Sequence, residues 1–295
     1  MPDTNQPLPA PSPSTETRAR TTKPASSADR PASPEGEPSR AAHFVLQGKG
    51  GVGKSFVASL LAQYLADQGH LQGCYDTDPV NGSLQSIPAL GAEPVELLAK
   101  NAINVKGMDR LIEAIVSAEK DVVVDNGAAS FLPLSRYLLE NGIPAVLEEH
   151  GVGMIVHTII TGGSNGLDTL KGLEALIQHF APAAQIVVWV NEFFGPARYK
   201  GTDFEHTKVY AENHAKLRGT IYLRQLDPEL FAPNLAEMLD RKLTFTEAAA
   251  SGDFMLMEKS RLFRIKNAIW DQLGLVLLCS GISSSPWCAR RPGSS

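Results

Sequence analysis

The chain has 295 residues, and 27 Lys and Arg against 32 Asp and Glu give a formal net charge of −5, which argues against a constitutive nucleic-acid-binding protein. With 43% hydrophobic and 20% charged residues, most of the chain can bury a core, which excludes an intrinsically disordered protein. Three cysteines, Cys74, Cys279 and Cys288, are too few for a disulfide framework or a cysteine metal cage, and they predict a cytoplasmic location.

Residues 1–40 differ in composition from the rest of the chain. Nine prolines lie among Ser, Thr, Ala and charged residues, and the large apolar side chains there are Met1 and Leu8. Burial could not offset the entropy lost on ordering this segment, so we expect a disordered leader. It has no apolar run typical of a signal peptide, and nowhere does the sequence approach the roughly 20 apolar residues of a membrane span.

From His43 onward, short apolar runs alternate with helical patterns. The first run, 43–47, precedes a glycine-rich turn and a helical pattern over 54–68 that ends at Gly69. The later predicted strands are 71–75, 122–124, 154–160, 186–190 and 220–223. This alternation predicts an α/β fold with three layers, in which helices flank a doubly wound, mostly parallel sheet. We expect one domain over 41–275, because no Pro/Ser-rich linker interrupts it.

The last helical pattern, 258–273, carries an apolar stripe beside basic residues. The stripe consists of Leu262, Ile265, Ile269 and Leu273, and the basic residues are Arg261, Arg264 and Lys266. Such a helix can dock on its own sheet, on a membrane surface or on DNA. Docking on the sheet is favoured, because a terminal amphipathic helix commonly covers its own domain. We expect residues 276–295 to form a disordered tail.

The segment GKGGVGKS at 48–55 lies between the first predicted strand and helix and matches the phosphate-binding pattern G-x-x-x-x-G-K-[ST]. Glycines let backbone N–H groups converge on phosphate oxygens, and the positive end of the following helix points there. Lys54 offers an ammonium to the β- and γ-phosphates, and Ser55 a hydroxyl to Mg²⁺. The predicted nucleotide contacts are Gly48, Gly50, Gly51, Val52, Gly53, Lys54, Ser55 and Phe56. The pattern identifies a P-loop NTPase.

Acidic residues follow two later strands. Asp76 and Asp78 come after the second strand, and Asp125 ends the apolar run DVVVD. Ligands of parallel sheets bind at the carboxyl ends of the strands, where carboxylates can hold Mg²⁺ or a water. Asp125 therefore matches the Walker B residue that holds the Mg²⁺ shell through water. Asn126-Gly127 follows, a pair that readily takes a positive φ.

The loop contains a further lysine, Lys49, near its start. With it, the sequence Lys-Gly-Gly-x-Gly-Lys-Ser resembles the deviant Walker A loop of the ParA/MinD-like ATPases. The resemblance implies an ATP-dependent sandwich homodimer in which Lys49 contacts the partner's nucleotide and acts catalytically beside Lys54. The element Asp-Thr-Asp-Pro is similar to the first switch of that family. It implies that Asp76 lies by the metal and that Asp78 orients the attacking water.

Asn191, at the end of the strand 186–190, resembles the adenine-contacting position of the same superfamily, although a turn or capping role is equally compatible with the sequence. The absence of Asn-Lys-x-Asp there favours ATP over GTP. The chain departs from the family in its second switch, which usually contains Pro or Thr and here reads Asn-Gly-Ala-Ala-Ser at 126–130.

Segments at 45–48, 76–81, 125–128, 156–163 and 188–191 resemble the TraL family of conjugative plasmids over roughly residues 42–270. This resemblance implies a role in plasmid transfer and a protein partner in the DNA-transfer machinery. We expect slow hydrolysis, because nothing in the sequence resembles a built-in arginine finger.

Four alternatives stay open at this level. A partition-type ATPase coating DNA would need a basic face, for which Arg198, Lys200 and the basic residues of the last helix are a modest supply. An electron-transfer P-loop protein would need cluster-ligating cysteines, and the predicted domain offers only Cys74. A scaffold that binds ATP without hydrolysing it would fit the altered second switch. A membrane-cycling protein would depend on the last helix.

Overall fold

The computed structural model of the protein describes residues 40–78, 82–99 and 102–278. Residues 1–39 of the expected leader, residues 279–295 of the expected tail, and 79–81 in the first switch lie outside the described residues. The predicted boundaries were slightly wrong, because Arg40 already belongs to the first strand and residues 276–278 still belong to the last helix.

The described elements follow one another as expected for alternating strands and helices. The strands are β1 (Arg40–Val45), β2 (Leu71–Asp76), β3 (Glu93–Pro94), β4 (Leu98–Ala99), β5 (Ala102–Ile103), β6 (Asp121–Asp125), β7 (Val152–Thr161), β8 (Gln185–Asn191), β9 (Arg198–Tyr199), β10 (Thr202–Asp203) and β11 (Leu217–Leu223). The helices are α1 (Lys54–Asp67), α2 (Val105–Ser117), α3 (Phe131–Glu140), α4 (Ile143–Glu149), α5 (Gly166–Phe180), α6 (Lys208–Asn213), α7 (Ala232–Asp240), α8 (Phe245–Ala250) and α9 (Leu256–Leu278).

Within the described residues, seven strands form one sheet in the order β11-β8-β7-β1-β6-β2-β3, and every neighbouring pair is parallel. β1 lies in the middle of the sheet, with β6 and β2 on one side and β7 and β8 on the other. The strand order therefore reverses direction at β1. This reversal leaves a crevice at the carboxyl ends of the central strands, where α/β proteins bind ligands. All six predicted strands are confirmed, whereas the two-residue edge strand β3 was not predicted.

The two faces of the sheet carry separate apolar cores. Val45 and Val123 point to the face covered by α1, α8 and α9, and their neighbours Phe44 and Val124 point to the face covered by α2 to α5. Period-two alternation thus supplies both cores from the same strands. The expected three-layer, doubly wound fold is confirmed.

Helix α9 packs against the α1 face of the sheet. Its predicted stripe is buried, from Leu273 with no exposed surface to Ile265 with 7%. Val276 sits so close to β11 that a Cβ on Gly219 would lie 2.7 Å from it. The stripe therefore docks on its own domain, which is one of the three surfaces that the sequence allowed.

A buried polar chain crosses the α1 face of the sheet. The Trp189 indole N–H donates to His157 Nδ1 at 3.0 Å, and His157 Nε2 lies 3.0 Å from His43 Nδ1. Since His157 Nδ1 accepts a hydrogen bond, the neutral ring carries its proton on Nε2 and donates to His43. Burial, with His43 and Arg218 adding to it, lowers the pKa of His157 well below its ordinary value. The interpretation of His157 as a satisfied core residue is confirmed.

The hydrogen bonds of His157 predict how the stability of the fold depends on pH. A lowered native pKa means that the neutral ring stabilises the fold above the unfolded value of about 6.5, and that this contribution disappears as the pH falls. His157→Phe should cost about 1 to 3 kcal/mol at pH 7.5, because the Trp189 N–H loses its acceptor.

The cost should shrink on acidification below about pH 6.5. Denaturant unfolding of both proteins across pH 5 to 8 measures it, with His179→Gln as a control at an exposed histidine. A cost that is independent of pH would contradict the assignment.

Candidate functional site

The phosphate-binding loop runs from the end of β1 to the start of α1. Gly51 and Gly53 have φ values of 71° and 96°, a left-handed conformation that strains other residues. The Asn191 amide fixes the loop to β8, since its Nδ2 donates to the Val52 carbonyl at 3.0 Å and its Oδ1 accepts from the Phe193 N–H at 3.1 Å. A Cβ on Gly53 would lie 2.9 Å from that Nδ2. Asn191 thus binds backbone with both ends of its amide.

Lys54 supplies a buried positive charge inside this loop. Only 8% of the residue is exposed, and its ammonium donates to the Lys49 carbonyl at 3.0 Å. Burial lowers its pKa, against the raising effect of Asp125 and Asp78. No acidic residue occupies the first turn of α1, so the positive end of this helix is uncompensated. The loop is therefore built to receive an anion.

Asp125 supplies a buried negative charge at the end of β6. Burial raises its pKa to about 6, although the neighbouring Ser55 hydroxyl and the Lys54 ammonium lower it. Neither carboxylate oxygen has a hydrogen bond of good geometry within the described residues. Two dehydrated carboxylate oxygens beside a serine hydroxyl form a hard oxygen donor set of the kind that Mg²⁺ binds.

Asp76 has a different environment, although it also ends a strand. Its Oδ1 accepts from the Asp78 N–H at 3.0 Å, and its Oδ2 accepts from the N–H groups of Leu84 and Gln85 at 3.0 and 3.1 Å. The carboxylate therefore organises the chain that leaves β2. The sequence predicted that Asp76 lies by the metal, and these hydrogen bonds to backbone N–H groups were not predicted.

Lys49 lies on the exposed side of the loop. Its ammonium donates to Asp168 Oδ2 at 2.9 Å, and this hydrogen bond lowers the pKa of Asp168. Asp168 belongs to the first turn of α5, which is the favourable end of a helix for a carboxylate. No motif in the sequence pointed to Asp168, because the contact joins residues 119 positions apart.

The second switch meets the first directly. Asn126 and Ser130 are buried and bonded to each other, with Asn126 Oδ1 2.7 Å from the Ser130 hydroxyl. A Cβ on Gly127 would lie 2.7 Å from Asp78 Cγ, and Gly127 does not adopt a positive φ. The pair does not use the positive φ that Asn-Gly readily takes, and close approach to Asp78 is what demands glycine at 127.

Three exposed apolar residues lie one or two positions along the chain from residues that contact the loop. Leu132, Leu167 and Phe193 are 73%, 51% and 75% exposed. Each adjoins a residue that meets the loop: Phe131 packs on Gly48, Asp168 bonds Lys49, and Asn191 bonds Val52. The segments that contact the loop therefore also carry exposed apolar residues.

Other chemistries find little support in the described part of the chain. Burial raises the pKa of the Cys74 thiol to about 12, so it is unreactive. No group of three or more His, Cys, Asp or Glu side chains in the described residues could hold a metal ion. The described helices include none long and apolar enough to cross a membrane.

The parallel sheet, its switch point and the glycine loop ahead of α1 define a P-loop nucleotide-binding fold. Residues 43–233 match the family described as the CobQ/CobB/MinD/ParA nucleotide binding domain. The MinD cell division protein of Aquifex aeolicus, solved alone, is 13% identical and has a TM-score of 0.43, covering 77% of this chain and 95% of its own.

Two proteins named TraL from Escherichia coli are 41% identical to this chain over 231 residues, which is 78% of this chain and 96% of each relative. The chain belongs to the TraL family, within the CobQ/CobB/MinD/ParA nucleotide-binding proteins.

The contrasting environments of Asp125 and Asp76 give a stability prediction. The raised native pKa of Asp125 means that its ionised form destabilises the ligand-free fold above about pH 6. Asp125→Asn should therefore raise the free energy of unfolding by about 2 kcal/mol at pH 8, and the gain should vanish as the pH falls toward 4.

Asp76→Asn is the matched control and should destabilise by about 1 to 3 kcal/mol, because one amide cannot accept all three N–H groups. Denaturant unfolding without nucleotide or metal compares the two. Destabilisation of the Asp125 variant at pH 8 would contradict the assignment.

Proposed function

We propose that the protein is an ATP-binding, slowly hydrolysing dimeric switch of a plasmid conjugation system. One observation carries the proposal: Lys54 and Asp125 hold opposite buried charges at the phosphate loop and influence each other's pKa, yet the Lys54 ammonium donates to a backbone carbonyl and does not contact the Asp125 carboxylate. Such an arrangement gains stability when an anionic phosphate and a cation arrive together.

ATP with Mg²⁺ fits this pair. The loop N–H groups and Lys54 would hold the phosphates, and Ser55 with Asp125 would hold the metal, whose charge would neutralise the phosphate oxygens. The hydrogen bonds of Asp76 favour a supporting role for it behind this site. Asn191 would act by fixing the loop, with ATP preferred over GTP.

Asp78 is the proposed hydrolytic residue. It is half-buried, and its charge is close enough to Lys54 to raise the pKa of that ammonium. Its role is to orient the attacking water and accept its proton. No arginine of the described residues donates a hydrogen bond to the loop, which supports slow intrinsic turnover.

Dimerisation is proposed through the face on which the loop opens. The Lys49 side chain is 39% exposed, so its ammonium can reach a nucleotide bound to a second copy of the protein. Leu132, Leu167 and Phe193 would be covered in that dimer, which would explain three large apolar side chains in contact with solvent.

Membership in the TraL family supports the assignment to conjugation, with a cytoplasmic protein and a partner in the DNA-transfer machinery. The partition-type alternative gains less support. Arg198 and Lys266 pair with Asp203 and Asp67 at 2.8 and 2.6 Å, so two cations of the expected DNA-binding face are already neutralised.

Sedimentation with and without ATP·Mg²⁺ tests the proposal. Wild type should dimerise with ATP, Asp78→Ala should trap the dimer, and Lys54→Ala should bind no ATP. A chain that stays monomeric and binds no ATP would overturn the proposal, and dimerisation only with DNA would favour the partition alternative.

The Lys49–Asp168 pair gives a further prediction. Because Asp168 holds Lys49 within its own chain, Asp168→Asn should lower the protein concentration needed for ATP-dependent dimerisation severalfold. The pair is exposed to solvent, and exposed ion pairs contribute little, so we expect a modest effect. The effect should decline with salt.

Glu174→Gln on the exposed side of the same helix is the control. Weaker dimerisation of the Asp168 variant would mean that Asp168 serves the dimer rather than restraining the monomer.

A further inference from the structure

The second switch is joined to the first by a buried polar cluster of Thr77, Asn126 and Ser130, which we call the switch link. All three residues are at most 1% exposed. Asn126 Oδ1 lies 3.3 Å from the Thr77 hydroxyl and 2.7 Å from the Ser130 hydroxyl. One amide oxygen therefore lies within hydrogen-bond distance of a hydroxyl from each switch.

The two hydroxyls of the switch link have more hydrogen-bond acceptors within reach than they have protons to donate. The Thr77 hydroxyl also lies 3.0 Å from the Asp125 carbonyl, and the Ser130 hydroxyl lies 3.1 and 3.2 Å from the carbonyls of Thr77 and Gly127. Each hydroxyl has one proton to donate. Rotation of two hydroxyls can therefore exchange partners between the switches without breaking a strand.

The Asn126 amide has unused donors as well. Its Nδ2 is buried and has no hydrogen-bond partner within the described residues. A buried donor without an acceptor is unfavourable, so the arrangement favours any rearrangement that brings an acceptor to it. In the described conformation, the switch link therefore makes fewer hydrogen bonds than its polar groups allow.

Both ends of the switch link reach functional elements. Gly127, next to Asn126, contacts Asp78 so closely that no Cβ fits between them. Ser130 precedes α3, and its carbonyl accepts from the Leu134 N–H at 2.9 Å. At the start of α3, Phe131 packs against Gly48 of the phosphate loop.

We propose that the switch link holds Asp78 in its hydrolytic position and transmits displacement of Asp78 to α3. Asn126 and Ser130 are positioning residues in this account, acting through Asp78 rather than on the nucleotide. The inference rests on the proposed function, and it assigns a purpose to the Asn-Gly-Ala-Ala-Ser sequence that departs from related switches.

Ser130→Ala tests the switch link, and Ser135→Ala is its matched control. Ser135 lies in the same helix, and its buried hydroxyl has no partner in the described residues. ATP affinity by equilibrium dialysis and phosphate release are measured on the full chain, after thermal unfolding has verified that both variants fold. Ser130→Ala should keep the ATP dissociation constant within about twofold and lower kcat about ten- to a hundredfold, since small misplacements of catalytic groups have such effects.

Ser135→Ala should change neither quantity. In an Asp78→Ala background the Ser130 substitution should have no further effect on the residual rate, because residues that act as a unit are not additive. Wild-type kcat in Ser130→Ala would overturn the proposal, and so would an equal loss in the Asp78→Ala background.

Hydrogen exchange of α3 separates the switch link from the proposed function. If ATP binds without being hydrolysed, ATP should change the exchange of α3 amides in wild type and in Ser135→Ala, but not in Ser130→Ala. The same change in all three proteins would overturn the link alone. A wild-type chain that binds no ATP would overturn the proposed function and the link with it.

Discussion

The site depends on one electrostatic constraint, which is that Lys54 and Asp125 are buried as opposite charges without forming an ion pair. The Lys54 ammonium donates to the Lys49 carbonyl, and among the described residues nothing donates a hydrogen bond of good geometry to Asp125. Keeping both charges dehydrated destabilises the ligand-free chain. The fold tolerates this because β1 and β6 are central strands with extensive cores on both faces.

The surrounding contacts keep this arrangement rigid in some places and adjustable in others. Asn191 fixes the loop to β8, and Asp76 fixes the chain after β2 with three backbone hydrogen bonds. Lys49, in contrast, is held by one exposed ion pair, and the switch link offers several acceptors to two protons. Weak, exchangeable contacts thus lie where the proposed nucleotide switch would have to move.

Much of the fold was predictable, because parallel strands buried on both faces appear as continuous apolar runs and the glycine loop has a fixed place between strand and helix. The edge strand β3 was missed, since two residues carry no periodic signal. The sequence placed Asp76 and Asp125 alike at strand ends. The tertiary structure distinguishes them, because Asp76 accepts from three N–H groups and Asp125 from none of the described residues.

Asp168 and the switch link were unpredictable for a related reason. The Lys49–Asp168 and Thr77–Asn126 contacts join residues far apart in the chain, and Asp168 lies in no motif. Close approach of Gly127 to Asp78, rather than backbone conformation, explains the glycine in the second switch. Short motifs therefore identify the anion site, and the tertiary contacts show how its parts are joined.

In the proposed dimer, each site combines Lys54 of one subunit with Lys49 of the other. Mixing two inactive variants, Lys49→Ala and Lys54→Ala, tests it most directly by measuring ATP hydrolysis as a function of their ratio. The account predicts that activity returns in the mixture, because a heterodimer contains one site with both lysines. A mixture as inactive as its components, with heterodimers present by sedimentation, would contradict it.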